Sequence, residues 1–166
     1  MSNWIRVAIL LTTMVTCVGC DQVTKSAARL QLEPGATVSF FHDFLRLQHV
    51  ENPGAFLSMG DSLPKSVRTI LFTFGGTVLV AGALIWVARS RFMGGVQTVG
   101  AALICSGGLG NLIDRLTRDG HVTDFLNVGI GSLRTGIFNI ADFALIVGVG
   151  VVVLSGSGMT RSVAPG

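Results

Sequence analysis

Four apolar stretches, Ile5 to Cys20, Thr69 to Ala88, Phe92 to Ile113 and Gly136 to Met159, leave this chain little choice of fold. The second and third carry no charge and have the ~20-residue length that a helix needs to cross a bilayer. The first completes its span with Trp4 and the residues after Cys20, and the fourth carries one charge, Asp142. Composition agrees: 49% of the 166 residues are hydrophobic and only 13% charged, and mean hydropathy is +0.65. Water-soluble domains of this size do not usually have that balance. The expectation is one domain over residues 1–166, a mainly α membrane protein with four transmembrane helices at about 5–21, 67–88, 92–113 and 137–158, and outer loops 22–66 and 114–136.

Four crossings put both termini and the turn Arg89-Ser90-Arg91 on one side, with Arg6 and Arg161. That side consists of short basic segments without an acid, and short flanks are where the positive-inside rule acts. The termini are therefore assigned to the cytoplasm. Eight of the twelve Lys and Arg lie in the opposite loops, interleaved with the acids, so the net charge of +3 forms no basic stripe and nucleic acid is not an expected partner. The tail after Met159 is expected to fray.

The three cysteines, Cys17, Cys20 and Cys105, fall inside apolar segments and read as small packing residues rather than a metal site, since no His accompanies them. Arg6, the apolar run and Cys17-Val18-Gly19-Cys20 imitate a cleavable bacterial lipoprotein signal, but three further spans follow and Cys17 stands where a Leu is usual. No metal or cofactor is expected.

The polar residues are better placed than the charges are numerous. Helix one exits through Asp21-Gln22-Val23-Thr24-Lys25, helix three through Asn111-Leu112-Ile113-Asp114-Arg115, and helix four enters through Asn139-Ile140-Ala141-Asp142, so all three clusters reach one membrane face. Asn111 and Asp114 are three residues apart, as are Asn139 and Asp142, which puts each amide on the helical face of its carboxylate. Asp21 has an ion-pair partner four residues on in Lys25, and Asp114 has Arg115 and Arg118 nearby. Asp142 has no basic residue within a turn, and Asp124 is flanked by apolar residues in Val122-Thr123-Asp124-Phe125-Leu126. Acids in such company need partners, and intramembrane acids are functional candidates by default.

Two carboxylates close together in a poorly hydrated site cannot both ionise easily, so one keeps its proton near neutral pH. The ionised member can then take a proton from water attacking a carbonyl, while the protonated member donates to the carbonyl oxygen and later to the leaving amine. A proton-coupled carrier would use similar acids, but it calls for carboxylates at differing depths, and here every acid sits at one face.

In order along the chain, Asp21-x-x-Thr24-Lys25, Asn52-Pro53-Gly54-Ala55, Gly110-Asn111-x-x-Asp114-Arg115, Val122-x-Asp124-Phe125 and Phe138-Asn139-x-Ala141-Asp142 resemble the motifs of the lipoprotein signal peptidase (signal peptidase II) family. The resemblance spans nearly the whole chain. It implies an aspartic endopeptidase of the bacterial inner membrane that cuts diacylglyceryl-modified prolipoproteins before the lipidated cysteine, with its active site at the periplasmic face. It implies a catalytic pair in Asp124 and Asp142, support or substrate contact from Asn52, Gly54, Asn111, Asp114, Arg115 and Asn139, and a structural and functional polar pair in Asp21 and Lys25. The implied partners are prolipoprotein substrates and membrane lipids, and a monomer is expected.

The chain departs from the family pattern at Phe56-Leu57-Ser58 and at Phe143, which predicts a changed pocket near the scissile bond. In the first outer loop, Ala36–Phe41 and Leu45–Val50 read as two short strands around His42-Asp43. They match a small extracytoplasmic β-cradle that the family has, with Phe40, Phe41 and Phe44 toward lipid. Pro53 to Lys65 reads as a lid. Ala102, Ser106 and Gly110, with Gly107 and Gly108, and Gly148 and Gly150 on helix four, read as close helix packing.

Overall fold

The computed structural model describes residues 2–33, 35–54, 60, 62–90 and 93–157. Ala55 to Ser58, Arg91, Phe92, Arg161, the tail after Met159 and part of the expected lid lie outside the described residues. Four apolar helices are present: α1 (Asn3–Gln31), α2 (Lys65–Arg89) and α3 (Gly95–Thr117), and α4 (Ile140–Ser157). The first three are long and apolar enough to cross a membrane, and the 18 residues of α4 fall at the short end of the length for a span.

The largest departure from the sequence reading is at the outer end of α1, expected near residue 21 and found at Gln31. Asp21, Lys25 and Ala28 are buried against the rest of the protein, so the helix continues on protein contacts after its apolar run ends. At its start, Ser2 caps the helix, its Oγ accepting the Ile5 N–H at 3.4 Å.

Small residues set the helix spacing. Gly107 lies so close to the Ala141 carbonyl on α4 that a Cβ there would collide with it, and a Cβ on Gly148 would lie 2.7 Å from the Gly100 carbonyl. Gly110 gives the same room to the Asp21 carboxylate, 2.6 Å from where its Cβ would stand. Gly150 faces open space, so its expected packing role is not found. These contacts run α3 parallel to α1 and antiparallel to α4. The apolar core, Leu10, Val87, Met93, Ala101 and Ala102, joins α1, α2 and α3 at the end of the bundle that holds the amino terminus.

Helix α2 is buried only at that end, and elsewhere it meets its neighbours through lighter contacts such as the Lys65–Asp119 ion pair at 2.6 Å. Val87 is its one buried residue, and its first half, π-helical over Thr69–Gly75, has none. Between this half and helices α3 and α4 lies a cavity of about 420 Å³.

At the other end of the bundle sits an antiparallel sheet of four strands in chain order, two more than the sequence reading supplied. The strands are β1 (Thr37–Phe40), β2 (Leu45–Asn52), β3 (Val122–Ile130) and β4 (Leu133–Arg134). Loop 114–136 thus holds a nine-residue strand, and its periodicity is hidden because Val122 to Phe125 are all buried. The turn joining β1 to β2 takes Phe41, His42 and Asp43 through positive φ of 52°, 54° and 70°, a conformation that costs L-residues energy. It is clamped by Asp43, which accepts from Ser39 Oγ at 2.6 Å and from Arg46 Nε at 2.7 Å and Nη2 at 2.6 Å. Those hydrogen bonds, Arg46 foremost, hold the Asp43 carboxyl well below the usual carboxylate range. Phe40, Phe41 and Phe44 are exposed on this hairpin.

Gly107→Val is expected to force α3 and α4 apart and to cost about 1–3 kcal/mol, read as a lower unfolding midpoint in detergent. Gly150→Ala, facing open space, is expected to be neutral or slightly stabilising.

Candidate active site

An ammonium group ties the site together. Lys25 is completely buried, with Nζ 2.9 Å from Asp21 Oδ2 and 3.0 Å from Asp114 Oδ2, and it donates to Asn111 Oδ1 at 3.0 Å. Three acceptors thus face its three N–H bonds. The remaining acceptor capacity of the two carboxylates is also used. Asp21 Oδ1 accepts the Ala141 N–H at 2.9 Å, and Asp114 Oδ2 accepts the Thr123 N–H at 3.1 Å. Gln22 Nε2 reaches both acids, at 3.1 Å and 3.3 Å. One centre therefore joins α1, α3, α4 and β3.

The expected Asp21–Lys25 pair is present. The expected pairing of Asp114 with Arg115 or Arg118 is not, because Asp114 points into the bundle with no exposed surface and meets Lys25 across the helix interface instead.

From this centre the network reaches the two candidate acids. Asn111 accepts from Lys25 and donates Nδ2–H to Asp142 Oδ1 at 2.9 Å. Asn139 and Asp142 cap the start of α4 reciprocally: the Asp142 N–H donates to Asn139 Oδ1 at 3.0 Å, and the Asn139 N–H donates to Asp142 Oδ2 at 3.2 Å. The helix begins after Asn139, so their three-residue spacing marks a capping box rather than one helical face. It also sets Asp142 at the positive end of the helix dipole.

The free amide of Asn139 then donates to Asp124 Oδ1 at 2.6 Å and to Asn111 Oδ1 at 3.2 Å. Asn139 is delivered there by backbone pairing, the Phe138 carbonyl accepting from Phe125 and Leu126 N–H on β3 at 3.0 Å and 2.8 Å. On the far side Asn52, at the end of β2, donates Nδ2–H to Asp124 Oδ2 at 2.8 Å and accepts the Gly54 N–H at 2.8 Å. Asp124 and Asp142 are 2% and 6% exposed, and Asn139 is their common partner. Burial pushes the Asp124 carboxyl up to about 7, with the neighbouring Asp142 charge adding to the rise and the Asn52 and Asn139 hydrogen bonds opposing it.

All ten candidate residues belong to this one network or its edge. Arg115 is at the edge: its Nη2 donates to the Gly54 carbonyl at 2.9 Å and its Nη1 to the Asn111 carbonyl at 3.3 Å. Its guanidinium stacks 5.8 Å from the Phe72 ring centroid on α2, and its buried Nε has no partner among the described residues. Asn111, Arg115 and Asp142 form the polar end of the 420 Å³ cavity, which is otherwise lined by side chains such as Phe72, Leu79, Val80, Ile104 and Leu145. Phe143 is 56% exposed and is not among the residues that line the cavity. Gln22 and Thr123 are the side chains the sequence reading missed. Each was only a gap position between motif residues.

The fold and site define a class: a multi-pass membrane protein with two buried, hydrogen-bonded aspartates where its helices meet an extramembrane sheet. Residues 13–157 match the family model described as signal peptidase (SPase) II, and the chain belongs to that family. It is 37% identical over 152 residues to a lipoprotein signal peptidase of Leifsonia xyli, covering 88% of this chain and 66% of that one. It is 34% identical to one from Desulforapulum autotrophicum, covering 87% of each. A solved bacterial membrane enzyme, 24% identical, has the same fold with a TM-score of 0.82 over 96% of this chain and 94% of the other.

Lys25→Met is expected to leave Asp21 and Asp114 buried without their counter-charge and to cost about 3–5 kcal/mol. Thermal unfolding in detergent measures this, and a midpoint equal to that of the wild type would contradict the network.

Proposed function

We propose that the chain is an aspartic endopeptidase of the bacterial inner membrane that cleaves diacylglyceryl-modified prolipoproteins just before the lipidated cysteine, with Asp124 and Asp142 as its catalytic pair. Membership of the family carries the coarser part of this reading, a membrane peptidase that removes signal peptides from lipoproteins. The finer part is supported most by one observation: two buried carboxylates share Asn139 as partner, and one of them, Asp142, lines the polar end of an apolar cavity.

The chemistry follows from their coupling. With a single proton between them, the ionised carboxylate accepts a proton from water as its oxygen bonds to the scissile carbonyl carbon. The protonated partner donates to the carbonyl oxygen, and the tetrahedral species collapses as the amine nitrogen takes a proton and the C–N bond breaks. Asn111, Asn139 and Asn52 hold the carboxylates. Arg115, held by the Gly54 and Asn111 carbonyls, sets its positive charge at the polar end of the cavity, where the extended substrate would lie.

A signal segment is itself an apolar helix, which suits an opening between α2 and helices α3 and α4 that is apolar except at Asn111, Arg115 and Asp142. Its backbone must unwind near the cut, because a helical peptide group in lipid is shielded by its own hydrogen bonds. In this reading the sheet and the acids face the periplasm, and the end bearing Arg6 and Arg89 faces the cytoplasm, with both termini.

The test is cleavage of a diacylglyceryl-modified prolipoprotein by purified protein, with Asp124→Asn and Asp142→Asn compared at equal folded amounts. Wild type is expected to cut before the lipidated cysteine whether or not a chelator is present, and each variant to lose at least about 10³-fold of its rate. Full activity in either variant would overturn the assignment. Because Asp124 is raised to about 7, the rate is also expected to fall as pH rises past that value and the proton needed for donation is lost. A pH–rate profile checks this.

A further inference from the structure

Behind the strand that carries Asp124 runs a second polar connection, which the proposed chemistry does not use. Thr123 is completely buried, and strand alternation turns its side chain to the face opposite Asp124. Its hydroxyl donates to Glu51 Oε1 at 3.0 Å and accepts from Arg29 Nη1 at 2.9 Å, which fixes the rotor. Glu51 lies directly opposite Thr123 on β2, and it also bonds His49 Nε2 at 3.0 Å. Arg29 comes from the extension of α1 beyond the membrane, braced by Ser26 Oγ at 2.8 Å.

The location of this bridge gives it a task. Leu47 pairs with Leu126, but the next pair is Val50 with Asp124, so β2 carries one residue more than β3 in this interval. Such a bulge interrupts the ladder, and pairing must be re-established within the few residues that remain. Those residues are Val50, Glu51 and Asn52, opposite Asp124, Thr123 and Val122. A slip of one residue would turn Asn52 away from Asp124, and with it the hydrogen bond at 2.8 Å.

We infer that Arg29, Thr123 and Glu51 form a positioning bridge, which locks the register of β2 on β3 past the bulge and thereby fixes Asn52 and Asp124 against each other. Thr123 is the keystone, because it is held twice. Its backbone N–H is bound by Asp114 of the Lys25 centre, and its hydroxyl by Glu51 and Arg29. The bridge rests on the reading of Asp124 as a catalytic carboxylate, and its residues touch neither substrate nor the reacting atoms.

The experiment compares wild type, Thr123→Val, Thr123→Ser and Asp124→Asn on one lipidated prolipoprotein, reading kcat, KM and the pH–rate profile at matched folded amounts. Valine keeps the volume and the backbone N–H but removes the hydroxyl. Thr123→Val is expected to lower kcat about tenfold with little change in KM, and serine to restore it. The alkaline limb of the profile, which loss of the Asp124 proton sets, is expected to move to higher pH in Thr123→Val, because the Asn52 hydrogen bond favours the ionised Asp124 carboxylate. Adding Glu51→Ala to Thr123→Val is expected to cost little more, since both changes break one connection. A Thr123→Val enzyme with the kcat and profile of wild type, beside an inactive Asp124→Asn, would overturn the bridge and leave the catalytic pair standing. An active Asp124→Asn would overturn the catalytic reading, and the bridge with it.

Discussion

The charge of Lys25 is the constraint on which the rest of the structure depends. An ammonium taken fully out of water costs several kcal/mol unless every N–H finds an acceptor and the charge is balanced. Here the acceptors come from its own helix (Asp21) and from α3 (Asp114 and Asn111). Each acceptor is committed elsewhere, to Ala141 on α4, to Thr123 on β3 and to Asp142. Three helices and the sheet are thereby joined through one atom, and no element can shift without leaving a buried charge exposed to lipid or unpaired.

Two consequences reach the candidate acids. Asp142 is held by a capping box that exists only because α4 begins at Ile140, and Ile140 is where it is because Phe138 pairs with β3. Asp124 is held between Asn139 and Asn52, which approach it from opposite sides of β3. The two carboxylates therefore owe their closeness to backbone pairing as much as to helix packing. The cavity beside Asp142 has a different origin: the first half of α2 buries none of its residues against α3 and α4.

The helices were legible because a bilayer demands long apolar runs. The largest disagreement, at the outer end of α1, came where contacts with the rest of the protein carry the helix on. Nothing in the local sequence of α1 says that Asp21 and Lys25 are buried, so the extension to Gln31 was invisible, and so was the bridge from Arg29. Strand β3 was missed for a related reason: with both faces covered near its start, Val122-Thr123-Asp124-Phe125 has no alternation to read. Of the site, the acids and amides were legible as polar residues at one membrane face. Who pairs with whom was not, and the partner of Asp114 came from a helix 89 residues away in sequence rather than from its neighbours. The capping role of Asn139 was obscured by a spacing that serves a cap and a helical face equally.

The proposed chemistry turns on one proton shared by two buried carboxylates, and the most direct measurement is infrared difference spectroscopy of the protonated carboxyl stretch between wild type and Asp124→Asn across neutral pH. A protonated carboxyl present in wild type, absent in the variant and titrating away as pH rises past about 7 is the predicted result. A wild-type spectrum with no protonated carboxyl at pH 6, or one that the substitution leaves unchanged, would contradict it.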